Sequence, residues 1–469
     1  MKLNRRTFMG TAAAASVSAP SVYAGGHGKP RVVVVGGGAG GATAARYIAK
    51  DSKGAIDVTL VEPTRTYYTC FFSNLYLGGF KEIDDIGHAY GNLAALGVNV
   101  VHDWAIGVDR SAKTVSLAGG ATLSYDKLIL SPGIDFVDGA VEGWDLSTQN
   151  AMPHAYKAGS QTELLKAQIA AMPQGGVFAM VAPPNPYRCP PGPYERISMV
   201  AHYLKNNNPT AKIIVADPKP KFSKMALFQE GWATHYSGMV DWIGSEFGGG
   251  NVSVDPGAMT VSIDGEDIKV DACNVIPAMK AGRIADLAGV TDGNWAPVNA
   301  ADMSTKADGD VYVLGDASQQ GDMPKSGFSA NSQAKVCANA VRGALTGSKV
   351  FPANLVAVLM EGKISVGHEV SSDFFKSVLA SLHSHKHVHL QDVLGSVELG
   401  LVNWVLQGVE LLDQERHKLL RVGSWTLDGH TEETGVGEVG VDGRGSVNEV
   451  VLLHKVGNSS AVHSLTWTS

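Results

Sequence analysis

The sequence predicts an α/β fold with two Rossmann-like dinucleotide-binding domains, the first of them interrupted by the second. Three observations carry this. An apolar, β-branched run, Arg31–Val35, feeds Gly36-Gly37-Gly38-Ala39-Gly40-Gly41 and then a helical stretch. Short apolar runs recur at 127–130, 177–181 and 212–215, alternating with helical stretches at 161–171 and 195–204, the pattern of parallel sheets. A last run at 311–314 ends in Gly315-Asp316.

The elements follow in order. Strand 31–35 leads through the glycine turn into a helix over 42–49, and strand 58–61 ends in Glu62. Gly36, Gly38 and Gly41 complete Gly-x-Gly-x-x-Gly. The first glycine permits a tight turn, the second lets the backbone approach a pyrophosphate, and the third allows helix to pack on strand. The helix N-terminus adds a dipole that favours phosphate. Glu62 stands about 21 residues beyond Gly41, where a carboxylate accepts a ribose hydroxyl. Leu128-Ile129-Leu130-Ser131-Pro132-Gly133 reads as the linking strand of a two-domain flavoprotein. In two-domain flavoproteins a strand like 311–314 returns to the first domain and holds the ribityl–phosphate part of FAD, the expected place of Gly315 and Asp316. The expected boundaries are 25–150 and 281–352 for the FAD domain and 151–280 for the second domain.

The second domain has no glycine phosphate loop. After its first strand comes Pro183-Pro184-Asn185-Pro186-Tyr187-Arg188-Cys189-Pro190-Pro191-Gly192-Pro193. Proline has no N–H and a fixed φ, so this turn is a poor pyrophosphate cradle and nicotinamide is not the expected electron carrier. It presents Cys189 just before a helix expected to start near Tyr194, where the dipole favours a thiolate; the alternative is an inert buried thiol.

Composition bounds the rest. A chain of 469 residues has room for two or three domains. Its formal charge of −7 argues against nucleic acid as a partner, and no apolar run reaches the roughly 18 residues of a membrane span. Residues 1–24 read as a twin-arginine export signal: Arg5 and Arg6, an Ala-rich apolar stretch, then Val22-Tyr23-Ala24 before the cleavage point. Export by that route places the mature protein in the periplasm, where cysteine pairs persist.

After Pro352 the character changes. The first 352 residues hold all 20 prolines, 13 tyrosines and four cysteines, while the remaining 117 carry nine of 15 histidines. Residues 353–469 are therefore an atypical C-terminal segment, either a separate module or a stretch read in a shifted frame, and the break favours the second. His383, His385, His387 and His389 alternate as on one strand face. A solvated polar strand is the simpler reading and no metal site is assigned. The stretch 393–412 has partly helical apolar spacing, as in a surface-lying helix.

The body resembles the flavoprotein subunit of flavocytochrome c sulfide dehydrogenase, a relative of the sulfide:quinone reductases and, more distantly, of glutathione reductase. The resemblance rests on residues 34–41, Tyr67-Tyr68-Thr69-Cys70-Phe71-Phe72-Ser73-Asn74, residues 186–196, Ala216-Asp217-Pro218-Lys219-Pro220-Lys221-Phe222, and Gly315-Asp316 with Ser329-Ala330-Asn331-Ser332-Gln333. It implies FAD bonded through the sulfur of Cys70 and a redox disulfide over the flavin with Cys189 as one half. It also implies that Glu195 takes protons from incoming hydrosulfide, although a carboxylate complementing the helix dipole reads equally well. Sulfide is then oxidised to sulfur or polysulfide, with electrons passing to a c-type cytochrome. The haem belongs on another polypeptide, since this chain has no Cys-x-x-Cys-His.

One departure weighs against turnover. The second disulfide cysteine of the family falls shortly after the position of Pro352, where this chain has none. Cys273 and Cys337 read as structural residues of a strand and a helix. A sulfide:quinone reductase and a flavin-binding protein without turnover remain the alternatives.

Overall fold

Two parallel sheets organise the body of the protein. The computed structural model describes residues 22–23, 28–321, 323–348, 433–441, 447–456 and 459–466, and the chain divides into two units, 1–366 and 367–469. The first unit contains β1 (Arg31–Val35), α1 (Ala39–Ser52), β2 (Asp57–Val61), α2 (Ser73–Gly78), β3 (Asn99–Val101) and β4 (Lys127–Leu130). It continues through α3 (Ser160–Ala170), β5 (Val177–Val181), α4 (Gly192–Asn207), β6 (Lys212–Ala216), β7 (Val240–Ile243), β8 (Ala272–Val275), β9 (Val311–Val313) and α5 (Gly327–Thr346).

The first sheet runs β9-β4-β1-β2-β3, parallel throughout. β1 sits at its centre, and Val32, Val33 and Val34 are buried at 0–2% exposure. An unbroken β-branched run suits a strand covered on both faces, and burying each valine contributes about 1.5–3 kcal/mol. α1 and α5 pack on one another over this sheet, and Asn331 donates to Thr43 Oγ1 across them at 3.0 Å. β9 lies beside β4, with Leu128 opposite Val311, so the sheet is completed only after the chain has built a second one.

That second sheet runs β7-β6-β5-β8, again parallel. The two passages between the sheets, Ile134–Phe136 and Met279–Ala281, pair antiparallel with each other. Each sheet carries a small antiparallel insertion, at 105–124 and 252–269.

Element types agree with the sequence reading, and ends shift by a few residues. α1 begins at Ala39 instead of 42, because Gly38 already stands as its N-cap. α4 begins at Gly192, two residues before Tyr194, because Pro193 accepts a first-turn position where no N–H is needed.

In the second unit the described strands Glu433–Val441, Val447–Val456 and Ser459–Thr466 form an antiparallel meander. The arginine pair Arg5–Arg6, the four alternating histidines and the 393–412 stretch lie outside the described residues. Among the described residues no helix is long and apolar enough to cross a membrane.

Candidate functional site

The glycine turn is built from both its neighbours. Gly36 ends β1 at φ +99°, and its N–H donates to Val61 O at 2.9 Å. A Cβ there would stand 2.2 Å from Ser131 O, so the turn is pressed against the end of β4. A Cβ on Gly41 would stand 1.9 Å from Gly36 O, which is how closely α1 lies on its own turn. Gly38 differs. Its Cβ would meet only the Tyr67 ring, at an ordinary 3.5 Å. The fold does not require glycine there, and the spare room lies at the N-terminus of α1, where an anion is favoured. Glu62 joins the same turn: its carboxylate accepts from Gly37 N–H at 2.8 Å and from Thr64 N–H and Oγ1 at 2.9 and 2.7 Å.

The far end of the site comes from β9. Gly315 adopts φ +69° and donates its N–H to Gln333 Oε1 at 2.7 Å. Asp316 follows with a buried carboxyl whose Oδ1 has no hydrogen-bond partner among the described residues. Burial pushes this carboxyl up, against the pull of Arg188 and Lys325. An unpaired buried carboxylate oxygen is costly and asks for a donor from outside the protein. A sugar or ribityl hydroxyl supplies one. The empty space at Gly38, the carboxylate at Glu62 and the orphaned oxygen of Asp316 together fit an extended dinucleotide such as FAD.

Between these ends lie two thiols. Cys70 opens a single 3-10 turn, Cys70–Phe72, and its carbonyl accepts from Ser73 Oγ at 2.6 Å at the start of α2. α2 packs against α4. Asn74 donates to Glu195 Oε2 at 2.6 Å and to Gly192 O at 3.1 Å, while buried Arg196 donates from Nε to Asn74 Oδ1 at 3.0 Å. The Cys70 segment is thereby tied to the first turn of the helix behind Cys189. Tyr67 connects the thiols to the glycine turn: its ring lies beside Gly38, and Cys70, Arg188 and Asp316 all act on its hydroxyl.

Cys189 itself is half-buried at φ +57°. Its N–H donates to Lys325 O at 2.6 Å, and its own carbonyl accepts from Gly192 N–H at 2.7 Å. The expected thiolate bias is corrected here. Burial, then the Glu195 and Cys70 charges, push the Cys189 thiol well above its usual range, and Arg188 only partly offsets them. α4 starts three residues beyond the sulfur's own residue, and loss of water outweighs its dipole. All four cysteines are free. Cys273 and Cys337 are fully buried in β8 and α5, and burial pushes both thiols up.

The second sheet's corresponding crevice is filled by protein. Asp217, at the end of β6 where β2 has Glu62, is fully buried and pairs with Lys219 at 2.7 Å. It also accepts from Tyr194 Oη at 2.7 Å and Trp242 Nε1 at 3.0 Å. Phe222 stacks on Tyr194 at 3.5 Å, and Lys219 reaches back to donate to Pro183 O. The carboxylate at the ribose position is spent internally, in keeping with a turn that has no phosphate loop.

Several site residues carried no motif of their own. Arg188, Asn74 and Arg196 sit inside the segments that carry the resemblance, so their neighbourhood was legible and their contacts were not. Lys325 had no signal at all. Its ammonium donates to Asp316 O and Ser318 O at 2.9 and 2.8 Å, lies 3.5 Å over the Trp295 ring, and is pushed down to about 8 by burial.

Comparison with known proteins locates this arrangement. Residues 162–277 match the central region of the sulfide dehydrogenase (flavocytochrome c) flavoprotein chain, and residues 30–166 match pyridine nucleotide-disulphide oxidoreductases. The flavoprotein chain of sulfide dehydrogenase (flavocytochrome c) from Chlorobaculum thiosulfatiphilum is 57% identical over 47 residues, covering 10% of this chain and 96% of that one. A mitochondrial sulfide:quinone oxidoreductase of Dictyostelium discoideum is 23% identical over 184 residues, 39% of this chain and 40% of the relative. Among solved structures, the sulfide:quinone oxidoreductase of Aquifex aeolicus aligns with TM-score 0.55 at 18% identity, over 68% of this chain and 77% of that one. An NAD-dependent persulfide reductase from A. fulgidus aligns with TM-score 0.53 at 20% identity, over 69% and 60%. These two likenesses speak to the fold alone, an α/β body of Rossmann-type domains. The short but near-complete match at high identity speaks to descent: the chain belongs to the family of sulfide dehydrogenase (flavocytochrome c) flavoprotein chains.

Proposed function

We propose that this chain is a periplasmic FAD flavoprotein that oxidises sulfide to sulfur or polysulfide and passes the electrons to a c-type cytochrome subunit. The observation that carries the reading is geometric: Asn74, four residues beyond Cys70, is bonded to Glu195 and Gly192 in the first turn of the helix behind Cys189, and Arg188, next to Cys189, lies 3.9 Å from Asp316. Gly36, Gly38, Gly41 and Glu62 would hold the adenylate and pyrophosphate end. Gly315 and Asp316 would hold the ribityl end, and Cys70 would bond to the flavin through its sulfur. FAD, when bound, takes up an electron pair and releases electrons one at a time. Cys189 is the sulfur-reactive residue. Glu195, fixed by Asn74, is placed to take the proton that hydrosulfide gives up. The twin-arginine leader Arg5–Arg6 supports export of the folded, flavin-loaded protein.

A second reading, flavin binding without turnover, rests on one fact: Cys189 has no disulfide partner among the four cysteines. Peptide mass mapping without reductant, paired with anaerobic sulfide titration, separates the two. FAD mass on the Cys70 peptide and sulfide bleaching of the flavin absorbance are the expected results. An intact flavin that sulfide leaves oxidised would favour the second reading. Cys70→Ser is expected to leave FAD removable by acid, and retention of acid-stable FAD in that variant would end the covalent assignment. Reduction of a quinone but of no c-type cytochrome would instead mark a sulfide:quinone reductase.

A further inference from the structure

The turn before α1 carries one glycine that the fingerprint does not call for. Gly37 has no positive φ, unlike Gly36, so its backbone conformation does not require glycine. Tyr90 does. A Cβ on Gly37 would stand 2.5 Å from Tyr90 Oη and 2.7 Å from two of its ring atoms. Tyr90 is 7% exposed and immediately precedes the short helix Gly91–Ala95. Its carbonyl is anchored there, accepting from Leu93 and Ala94 N–H at 2.9 and 3.1 Å. Its hydroxyl donates to Gly37 O at 3.2 Å. A ring from far along the chain is thus seated on the turn.

Each of the other peptide units of the turn has a fixed orientation. Gly36 N–H donates to Val61 O at 2.9 Å, Gly37 N–H donates to Glu62 Oε2 at 2.8 Å, and Gly38 O accepts from Ala42 N–H at 3.0 Å. The Gly37–Gly38 peptide remains, and Tyr90 holds it by its carbonyl. It is also the peptide most able to turn over. Rotating it by half a turn changes ψ at 37 and φ at 38, and glycine tolerates φ of either sign. The two orientations offer opposite charge to the space at the N-terminus of α1. In the structure no side chain caps α1, and Gly38 N–H belongs to the donors that a helix start leaves for a ligand. Turned over, the peptide would offer the Gly37 carbonyl instead and repel an anion.

We propose that Tyr90 is a positioning residue that locks the Gly37–Gly38 peptide with its N–H toward the pyrophosphate, and that Gly37 is glycine to admit the Tyr90 ring. The inference rests on the reading above in one respect: the anion at this turn is the pyrophosphate of FAD. Three successive glycines let the backbone approach the ligand but leave it free to turn. The tyrosine supplies the missing rigidity from outside the motif.

The test compares FAD binding by the full-length Cys70→Ser protein with and without Tyr90→Phe, a background in which flavin can exchange. Phenylalanine keeps the ring and removes only the bond to Gly37 O. Release of FAD on dilution, read by recovery of flavin fluorescence, is expected to show about tenfold weaker binding, the scale of one hydrogen bond to a charged group. Melting of the flavin-free proteins is expected to differ by no more than about 3 °C. The ³¹P resonances of bound FAD are expected to move, which a role in packing alone would not cause. Unchanged affinity, or weaker binding with unmoved ³¹P resonances, would overturn the proposal. Gly37→Ala gives an independent check, because its methyl displaces the ring. Adding Tyr90→Phe to it is expected to cost no further affinity, and a second tenfold loss would overturn the proposal by showing that hydroxyl and turn act separately. ADP, which has the pyrophosphate and no flavin, separates this inference from the flavin reading. ADP binding weakened by Tyr90→Phe in a protein that takes up no FAD would sink the flavin reading alone. FAD held equally with and without the Tyr90 hydroxyl would sink this inference alone.

Discussion

The two parallel sheets of this protein end their second strands in the same way and use the ending differently. β2 delivers Glu62 to a glycine turn, half-exposed, where among the described residues it accepts from the Gly37 N–H and from Thr64. β6 delivers Asp217 into a closed knot of Lys219, Tyr194 and Trp242. The first crevice keeps its carboxylate available, and the second consumes it. Two features set the second half apart from a nucleotide site. A proline-rich turn removes the phosphate donors, and an internal lysine takes the place of the ribose.

The sharpest way to break this contrast is at the glycines of the first half. Gly36→Ala forces a side chain to φ +99° and into Ser131 O, and is expected to cost about 3 kcal/mol or more and to yield protein without flavin. Gly38→Ala meets only an ordinary contact with Tyr67. It should therefore melt close to wild type while losing flavin. Equal melting losses in both variants would mean that the room at Gly38 serves the fold alone.

The second half breaks at Asp217. Asp217→Ala leaves the Lys219 ammonium buried without its partner, and is expected to destabilise the protein by about 3–5 kcal/mol in thermal or urea unfolding. The double variant Asp217→Ala with Lys219→Met should recover most of that. No recovery would mean the knot is held by the aromatic stack instead of the ion pair.

The smallest expected effect compares the two buried lysines. Burial pushes both Lys219 and Lys325 down, but only Lys219 has a carboxylate at 2.7 Å. Lys325, at about 8 in the folded protein, binds its proton less well there than unfolded, where lysine sits near 10.4. The unfolded state therefore holds more protons between those values, and stability from this residue rises as pH climbs from about 8 to 10. Relative to Lys325→Met, the wild type should gain about 1–3 kcal/mol across that window. Parallel stability curves for the two would refute the burial argument.

Much of this was legible in the chain. The β-branched run at Arg31–Val35 and the glycine spacing behind it dictate a strand, a tight turn and a phosphate-facing helix by local sterics alone. The prolines from Pro183 to Pro193 equally rule out a second phosphate loop, because an imide has no N–H wherever it is placed. Cys70 and Cys189 were legible only through the segments around them, which identify a family and say nothing of distance. What the sequence left undecided depends on contacts between residues far apart along the chain. The pairing of β9 beside β4, the bond of Asn74 to Glu195, the approach of Arg188 to Asp316 and the burial that reverses the expected bias of the Cys189 thiol are all of this kind. Local propensity is a property of a few neighbouring residues and can be read from their order. Desolvation and charge pairing depend on what the fold brings within a few ångströms, and only the tertiary structure sets that.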